Sequence, residues 1–144
     1  MAKYYFDSAR WTVAESWRTI RTVRADLPEG IRESLRGERK VVFHAALEQA
    51  QQQFLAAGSV GYESRPLNLF YGLAQAGRAL AAASPDLSTR NPDDESRRWK
   101  SMGHGLGFAP TGQVGDFWRQ TVVVTPSVQD TFSRVSIALG SPYM

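Results

Sequence analysis

The chain carries two histidines and no cysteine, so few of its side chains can act as a base or a nucleophile near neutral pH. His104 lies between two glycines, and Arg98 precedes it by six positions. A histidine in such a place can remove a proton from a ribose 2′-hydroxyl, and a nearby arginine can stabilise the charge that develops on the phosphorus. Arg98 and His104 are therefore the first candidate catalytic residues.

Arg39 and His44 form a second pair of the same kind, with four residues between them. Both spacings occur in metal-independent ribonucleases of the HEPN class. The chain contains 14 arginines, however, so such a spacing arises easily by chance. Val42 and Phe43 also indicate that His44 lies beside an apolar helix face, which favours a packing role. A ribonuclease using Arg98 and His104, or Arg39 and His44, is kept as an alternative function.

A helix predicted over residues 66–83 carries the candidate binding residues. At 100° per residue, one side of it combines polar and small residues: Asn68, Tyr71, Gly72, Gln75, Arg78 and Ala79. The other side is apolar and is expected to face the core: Phe70, Leu73, Ala74, Gly77, Leu80 and Ala81. A solvent-facing side usually carries Lys and Glu, so we predict that the polar side packs against something polar.

Arg65, next to Pro66 at the start of this helix, extends the polar set. Together with Asn68, Tyr71, Gln75 and Arg78 it could face His104 and bind an anion or a phosphodiester. The same residues could instead form a buried polar network that holds the glycine-rich loop against the helix. The second interpretation is favoured because no obvious nucleophile or carboxylate accompanies the set.

Four principal helices are predicted to position these residues. The first begins at a Thr12–Glu15 capping box and ends at about Asp26, and the others cover about 40–57, 66–83 and 127–139. The β-branched run at 120–125 predicts a strand, with 106–108 or 114–117 as its partner. The expected fold is mainly α: about four principal helices with a small β hairpin or strand pair between helices 3 and 4, in a single domain over 1–144.

Composition limits the kinds of site and partner. Without cysteine the chain has no disulfide, Cys-ligated zinc or iron–sulfur cluster, and two histidines are too few for a closed transition-metal site, so no metal or cofactor is expected. We see no secretion signal and no bilayer-spanning segment, and we expect a cytoplasmic protein. The net charge of +3 comes from residues 1–40. Arg18, Arg21 and Arg24 recur there on one helix, which makes a nucleic-acid-binding module a further alternative.

A succession of motifs carries a family resemblance. They are Arg65-Pro66-Leu67, Phe70-Tyr71-Gly72, Gln75-Ala76 and Arg78-Ala79, preceded by an alanine-rich helix at 45–57 and followed by His104-Gly105-Leu106. With these motifs, residues 40–140 resemble the YaaC-like family of bacterial proteins. The resemblance implies a fold but no known biochemical activity. Because members of that family are longer, it also implies that this chain is an N-terminal portion of a longer protein.

The residues and the resemblance together predict an uncharacterised intracellular domain that acts through protein interaction. Its partner would be another protein chain or the remainder of a longer chain, with no membrane involved. The HEPN-type ribonuclease and the nucleic-acid-binding module stay as the two alternatives.

Overall fold

The computed structural model describes residues 12–87, 98–100, 103, 106–109, 121–124 and 130–141. Five α-helices, α1 to α5 in chain order, cover Val13–Ala25, Glu29–Arg32, Glu38–Ser59, Arg65–Ala83 and Thr131–Ala138. A 3₁₀ turn at Pro85–Leu87 follows α4. Strands β1 (Leu106–Ala109) and β2 (Thr121–Val124) pair antiparallel, with Leu106 opposite Val124 and Ala109 opposite Thr121.

The predicted fold class, about four principal helices with a small β hairpin or strand pair between helices 3 and 4, is wrong. The described residues form five α-helices instead of four principal ones, and the predicted helices 3 and 4 correspond to α4 and α5. The additional helix, α2, begins immediately after Pro28, whose fixed φ suits the start of a helix. β1 and β2 are four residues each and eleven residues apart, so they make no tight hairpin. A pair of strands this short is marginal alone, and the fold is a helical one.

The most extensive helix contact is between α3 and α4. Alanines supply much of it, because small side chains let two helix backbones approach closely: Ala46, Ala50 and Ala57 of α3 and Ala79, Ala81 and Ala82 of α4 are all buried. Larger side chains complete the core at its edge, namely Leu35, Phe43, Leu87 and Trp99. The core therefore surrounds the first half of α3 and the second half of α4.

Arg39 joins the beginning of α3 to the end of α4. It is only 9% exposed, and its guanidinium donates from Nε to the Ala82 carbonyl at 2.8 Å and from Nη2 to the Ser84 carbonyl at 2.5 Å. These carbonyls are among those that a helix end leaves without an internal partner. The guanidinium also lies 5.7 Å from the centre of the Trp99 ring. Arg39 thus acts as the C-terminal cap of α4.

The predicted capping box at the start of α1 is confirmed. The Thr12 hydroxyl oxygen accepts from the Glu15 backbone N–H at 3.3 Å, and the Glu15 carboxylate accepts from the Thr12 backbone N–H at 2.8 Å. The hydrogen bonds from the Thr12 backbone and hydroxyl lower the pKa of Glu15. The ionised carboxylate therefore stabilises α1 at pH values above the usual pKa of glutamate. This stabilisation is lost as the pH falls through the lowered pKa of Glu15.

Thr12→Ala is expected to open α1 more often, because it removes the side-chain half of this box. Amide hydrogen exchange in α1 should accelerate about fivefold, because an N-cap ordinarily contributes about 1 kcal/mol to helix stability. Thr22→Ala is the matched control, since Thr22 is an exposed residue inside α1 whose hydroxyl only donates to the Arg18 carbonyl. Equal exchange rates in the two variants would contradict a stabilising cap.

Candidate functional site

The predicted binding residue Arg65 has a structural role. Its Nε donates to the Ala57 carbonyl at 3.0 Å and its Nη2 to the Val60 carbonyl at 3.4 Å. These acceptors belong to the last turn of α3 and to the residue after it, so Arg65 caps α3 as Arg39 caps α4. The guanidinium is therefore engaged at the turn between the two helices.

The other predicted binding residues lie along α4 but do not meet at one point. Asn68 donates from its side chain to the Ser64 carbonyl, one turn back, at 3.3 Å. Tyr71 is exposed, and its ring lies edge-on to that of Phe70. Gln75 is half-buried further along the helix. The structure places these residues at different levels of α4, each with its own surroundings.

Arg78, another predicted binding residue, lies beside Trp99 and Lys100, which follow the predicted catalytic residue Arg98. With Glu38 and Val42 of α3, and with Trp99 and Lys100, it lines a groove of about 320 Å³. Lys100 pairs with Glu38 at 2.8 Å and lies 5.6 Å from the centre of the Trp99 ring. Arg98, the residue before Trp99, is exposed. The structure thus brings the residues after Arg98 beside Arg78.

The predicted catalytic residue His104 lies outside the described residues, so its meeting with Tyr71, Gln75 and Arg78 stays a prediction. Its neighbour Gly103 is described and has a φ of +82°, in the region that favours glycine. The Gly103 carbonyl accepts from the Thr131 backbone N–H at 3.2 Å and from the Thr131 hydroxyl at 2.9 Å. The chain is therefore attached to the start of α5 one residue before His104.

The alternative pair Arg39 and His44 is not brought together. The Arg39 guanidinium is bonded to the end of α4, whereas His44 lies in a groove with Arg21 and Arg24 of α1. Two helix residues that are five positions apart point in different directions. In the described residues, Arg39 and His44 thus have separate contacts, and their use as a catalytic pair stays a prediction.

The sides of α4 are used differently from the helical-wheel prediction. The side expected to meet a polar neighbour packs instead on α3, where the backbone at Gly72 approaches the ring of Phe54 so closely that a Cβ there would lie 3.1 Å from it. On the side expected to face the core, Leu73 is 65% exposed and Leu80 is 44% exposed. The prediction weighted residue size and hydrophobicity, but the close approach of α3 selects the side with glycine and alanine.

An apolar groove of about 310 Å³ results along α4 and α5. We call it the α4/α5 groove, and its lining residues are Phe70, Leu73, Ala74, Ala76, Gly77, Leu80, Thr131, Phe132 and Val135. Phe132 is 38% exposed although it is a large aromatic residue. None of these lining residues carries a charge. The groove therefore offers apolar contact and shape but no acid–base chemistry.

The sequence contained a signal for this groove that our prediction did not use. Leu73 and Leu80 are seven positions apart on α4, which is the spacing of residues that contact a single neighbouring helix. Gly77 lies between them, and a Cβ at Gly77 would lie 2.8 Å from Val135 and 2.9 Å from Thr131. α5 therefore covers Gly77 and leaves the two leucines beside it exposed.

Comparison with known proteins places the chain in a family. A family model described as YaaC-like Protein matches residues 5–143, which is nearly the whole chain. Searches of curated proteins and of solved structures found no match. Within the described residues, no helix combines the length and the apolar character needed to cross a bilayer. The resemblance seen in the motifs around Phe70-Tyr71-Gly72 is thus confirmed, and the chain belongs to the YaaC-like protein family.

Proposed function

We propose that this YaaC-like chain acts by binding another protein, and that the α4/α5 groove receives an amphipathic helix of that partner. The observation that carries the proposal is the exposure of Leu73, Leu80 and Phe132 around one uncharged groove. Scattered apolar residues on a surface need no explanation, but a cluster of large ones around a concave surface is typical of an interaction site.

The shape of the groove favours a helix over a small ligand. It is bounded by two helices and follows α4 from Phe70 to Leu80, about three turns. A partner helix with apolar residues at positions i, i+3 or i+4 and i+7 matches the spacing of Leu73 and Leu80. Burying one leucine side chain contributes about 2 kcal/mol before the cost of association is subtracted, so apolar burial would supply the main favourable term of the complex.

The chemistry of the groove distinguishes this function from the two alternatives. Because no charged residue lines it, binding there should depend little on ionic strength. Binding to nucleic acid would weaken steeply as salt is added, because phosphate contacts release counterions. A ribonuclease of the kind considered above would instead lose its activity when His104 is replaced by alanine.

Photocrosslinking tests the proposal well because the chain has no cysteine of its own. Leu73→Cys, labelled with benzophenone maleimide, places a crosslinker in the groove. Leu55→Cys is the matched control, since Leu55 is 60% exposed on α3 and outside the groove. In lysate of the host cell, we expect the label at Leu73 to capture one protein that the label at Leu55 does not capture. The crosslinked peptide, identified by mass spectrometry, should be an amphipathic helix.

The purified partner then gives the quantitative result. Phe132→Asp should weaken its binding at least about tenfold, because a carboxylate in an apolar contact loses its hydration. Leu55→Asp should leave the affinity within about twofold, as expected of a surface change outside the contact. Identical crosslinks from both positions, a crosslinked dimer of this chain as the sole product, or equal effects of the two aspartates would overturn the proposal.

A further inference from the structure

We propose that a groove between α1 and α3 binds a phosphate group through Arg21, Arg24 and His44. The groove has a volume of about 300 Å³, and its described lining consists of these three residues and Ala25. It is separate from the α4/α5 groove, with which it shares no lining residue. The proposal is therefore independent of the proposed protein interaction.

Two helices position the three side chains. Arg21 and Arg24 are three residues apart on α1, so both guanidinium groups lie on the same side of that helix. α1 is held to α3 by the ring contact between Trp17 and Phe54, whose centres are 6.0 Å apart, and by an ion pair between Arg24 and Glu48. His44 lies one turn before Glu48 on α3, where it faces the two arginines.

The charge around His44 is unbalanced. Arg21 and Arg24 reach the groove from α1, and Lys40 lies one turn before His44 on α3. Glu48 is the one carboxylate that the described residues place beside them. Burial, and then the charges of Arg24 and Lys40, lower the pKa of His44. Because the positively charged groups around His44 repel one another, a bound anion there would lower the electrostatic energy.

The donor set fits phosphate. Two guanidinium forks can each donate two hydrogen bonds to a tetrahedral oxyanion, and arginine is preferred for this geometry over lysine. His44 adds a third donor, which carries positive charge when the ring is protonated. A bound dianion favours that protonated form, so it should raise the pKa of His44. The affinity for an anion of constant charge, such as sulfate, should then increase as the pH falls below about 6.5, the ordinary pKa of histidine.

Glu48 acts as an internal competitor in this arrangement. Its carboxylate accepts from the Arg24 guanidinium, and that contact lowers the pKa of Glu48. A phosphate group must share or replace this interaction. Glu48→Gln removes the competing charge and keeps the side-chain size, so it should increase the affinity for phosphate. If Glu48 only stabilises the fold, Glu48→Gln should not increase the affinity for phosphate.

Nuclear magnetic resonance of the two histidine rings gives a direct test. Sulfate is the first probe, because it is tetrahedral like phosphate and keeps its charge throughout the titration of His44. The His44→Gln variant assigns the resonances. We expect sulfate to raise the pKa of His44, and inorganic phosphate to bind in competition with it. An unchanged His44 resonance at tens of millimolar sulfate would overturn the proposal.

Four variants separate a built site from general surface charge. Arg21→Gln and Arg24→Gln should each weaken sulfate binding about fivefold or more, since each loses a charged donor. Glu48→Gln should strengthen binding about threefold or more by removing the competing charge. Arg18→Gln is the matched control, because Arg18 is an exposed arginine of α1 outside the groove, and it should change affinity less than about twofold. Equal losses in the three arginine variants would contradict a site.

The source of the phosphate is distinguished by comparing a mononucleoside 5′-phosphate with a short single-stranded RNA. A site for one phosphate group binds both with similar dependence on Arg21 and Arg24. If the RNA alone binds, and Arg18→Gln weakens its binding as much as Arg21→Gln does, the arginines of α1 form a nucleic-acid-binding surface and the proposed site is wrong. Thermal unfolding of each variant, which these half-buried or exposed positions should change little, confirms that the fold is intact.

Discussion

Arg39→Ala is expected to lower the free energy of unfolding by about 3 kcal/mol, the cost of removing a buried charged donor from acceptors that stay buried. Arg39 is a buried residue whose guanidinium donates to the carbonyls of Ala81, Ala82 and Ser84. Alanine leaves these carbonyls without their donor and removes the group that lies over the Trp99 ring. The loss should appear as a lower urea midpoint with an unchanged slope.

Two further variants establish that the hydrogen bonds cause this effect. Arg36→Ala changes an exposed arginine three residues earlier and should alter stability by less than about 0.5 kcal/mol. Arg39→Lys keeps the charge but provides a single donor atom, so it should retain only part of the stability. Although burial lowers the pKa of Arg39, the guanidinium stays protonated, and the effect should be the same at pH 5 and pH 8. Equal urea midpoints for Arg36→Ala and Arg39→Ala would show that the cap contributes nothing.

Gly77→Ala is expected to lower the free energy of unfolding by about 2 kcal/mol, because a methyl group at Gly77 overlaps with α5. Its Cβ would lie 2.8 Å from Cγ2 of Val135 and 2.9 Å from Cγ2 of Thr131. Both neighbours are β-branched, so their methyl groups cannot move without a change of rotamer or a shift of α5. This cost exceeds the gain of about 1 kcal/mol that alanine normally brings to the inside of a helix.

Gly58→Ala provides the matched control with the opposite sign. Gly58 lies near the end of α3 with nothing within 4 Å of its Cβ position, so alanine should leave stability unchanged or raise it. Gly72→Ala should fall between the two, because its close neighbour at 3.1 Å is the outer edge of the Phe54 ring. In urea denaturation, the stability of the three variants should therefore decrease from Gly58→Ala through Gly72→Ala to Gly77→Ala. A Gly77→Ala protein as stable as the parent would mean that α5 packs elsewhere.

Local features of this fold could be predicted because they depend on residues close together in the chain. The capping box of Thr12 and Glu15 and the end of α1 at Asp26 follow from hydrogen bonds within one turn. The bounds of α4 were predicted to within one residue, since Pro66 suits a first turn and Ser84-Pro85 ends the helix. The last helix begins at Thr131 with Asp130 as its N-cap and not at Ser127. Both serine and aspartate are good N-caps, and the chain alone does not choose between them.

The packing of α4 was predicted less well because it depends on contacts between distant segments. Periodicity showed that α4 has an apolar side, and we assigned that side to the core. Leu73 is nevertheless exposed, because α3 approaches through Gly72 and Ala79 on the other side. Arg65 was predicted to bind a ligand, and the structure shows that its Nε and Nη2 donate to carbonyls at the end of α3. A helical wheel measures hydrophobicity and does not measure how closely two backbones can approach.

The sequence by itself determined the family, most of the helix boundaries and the absence of cysteine chemistry. Family motifs and caps are written in consecutive residues, and their energies arise within a turn or two of the chain. Only the tertiary structure decided which side of α4 is covered, that Arg39 and Arg65 serve as helix caps, and that Arg21, Arg24 and His44 share a groove. Each of these depends on the way α3 packs against another helix, and that packing is selected by the fit of whole surfaces.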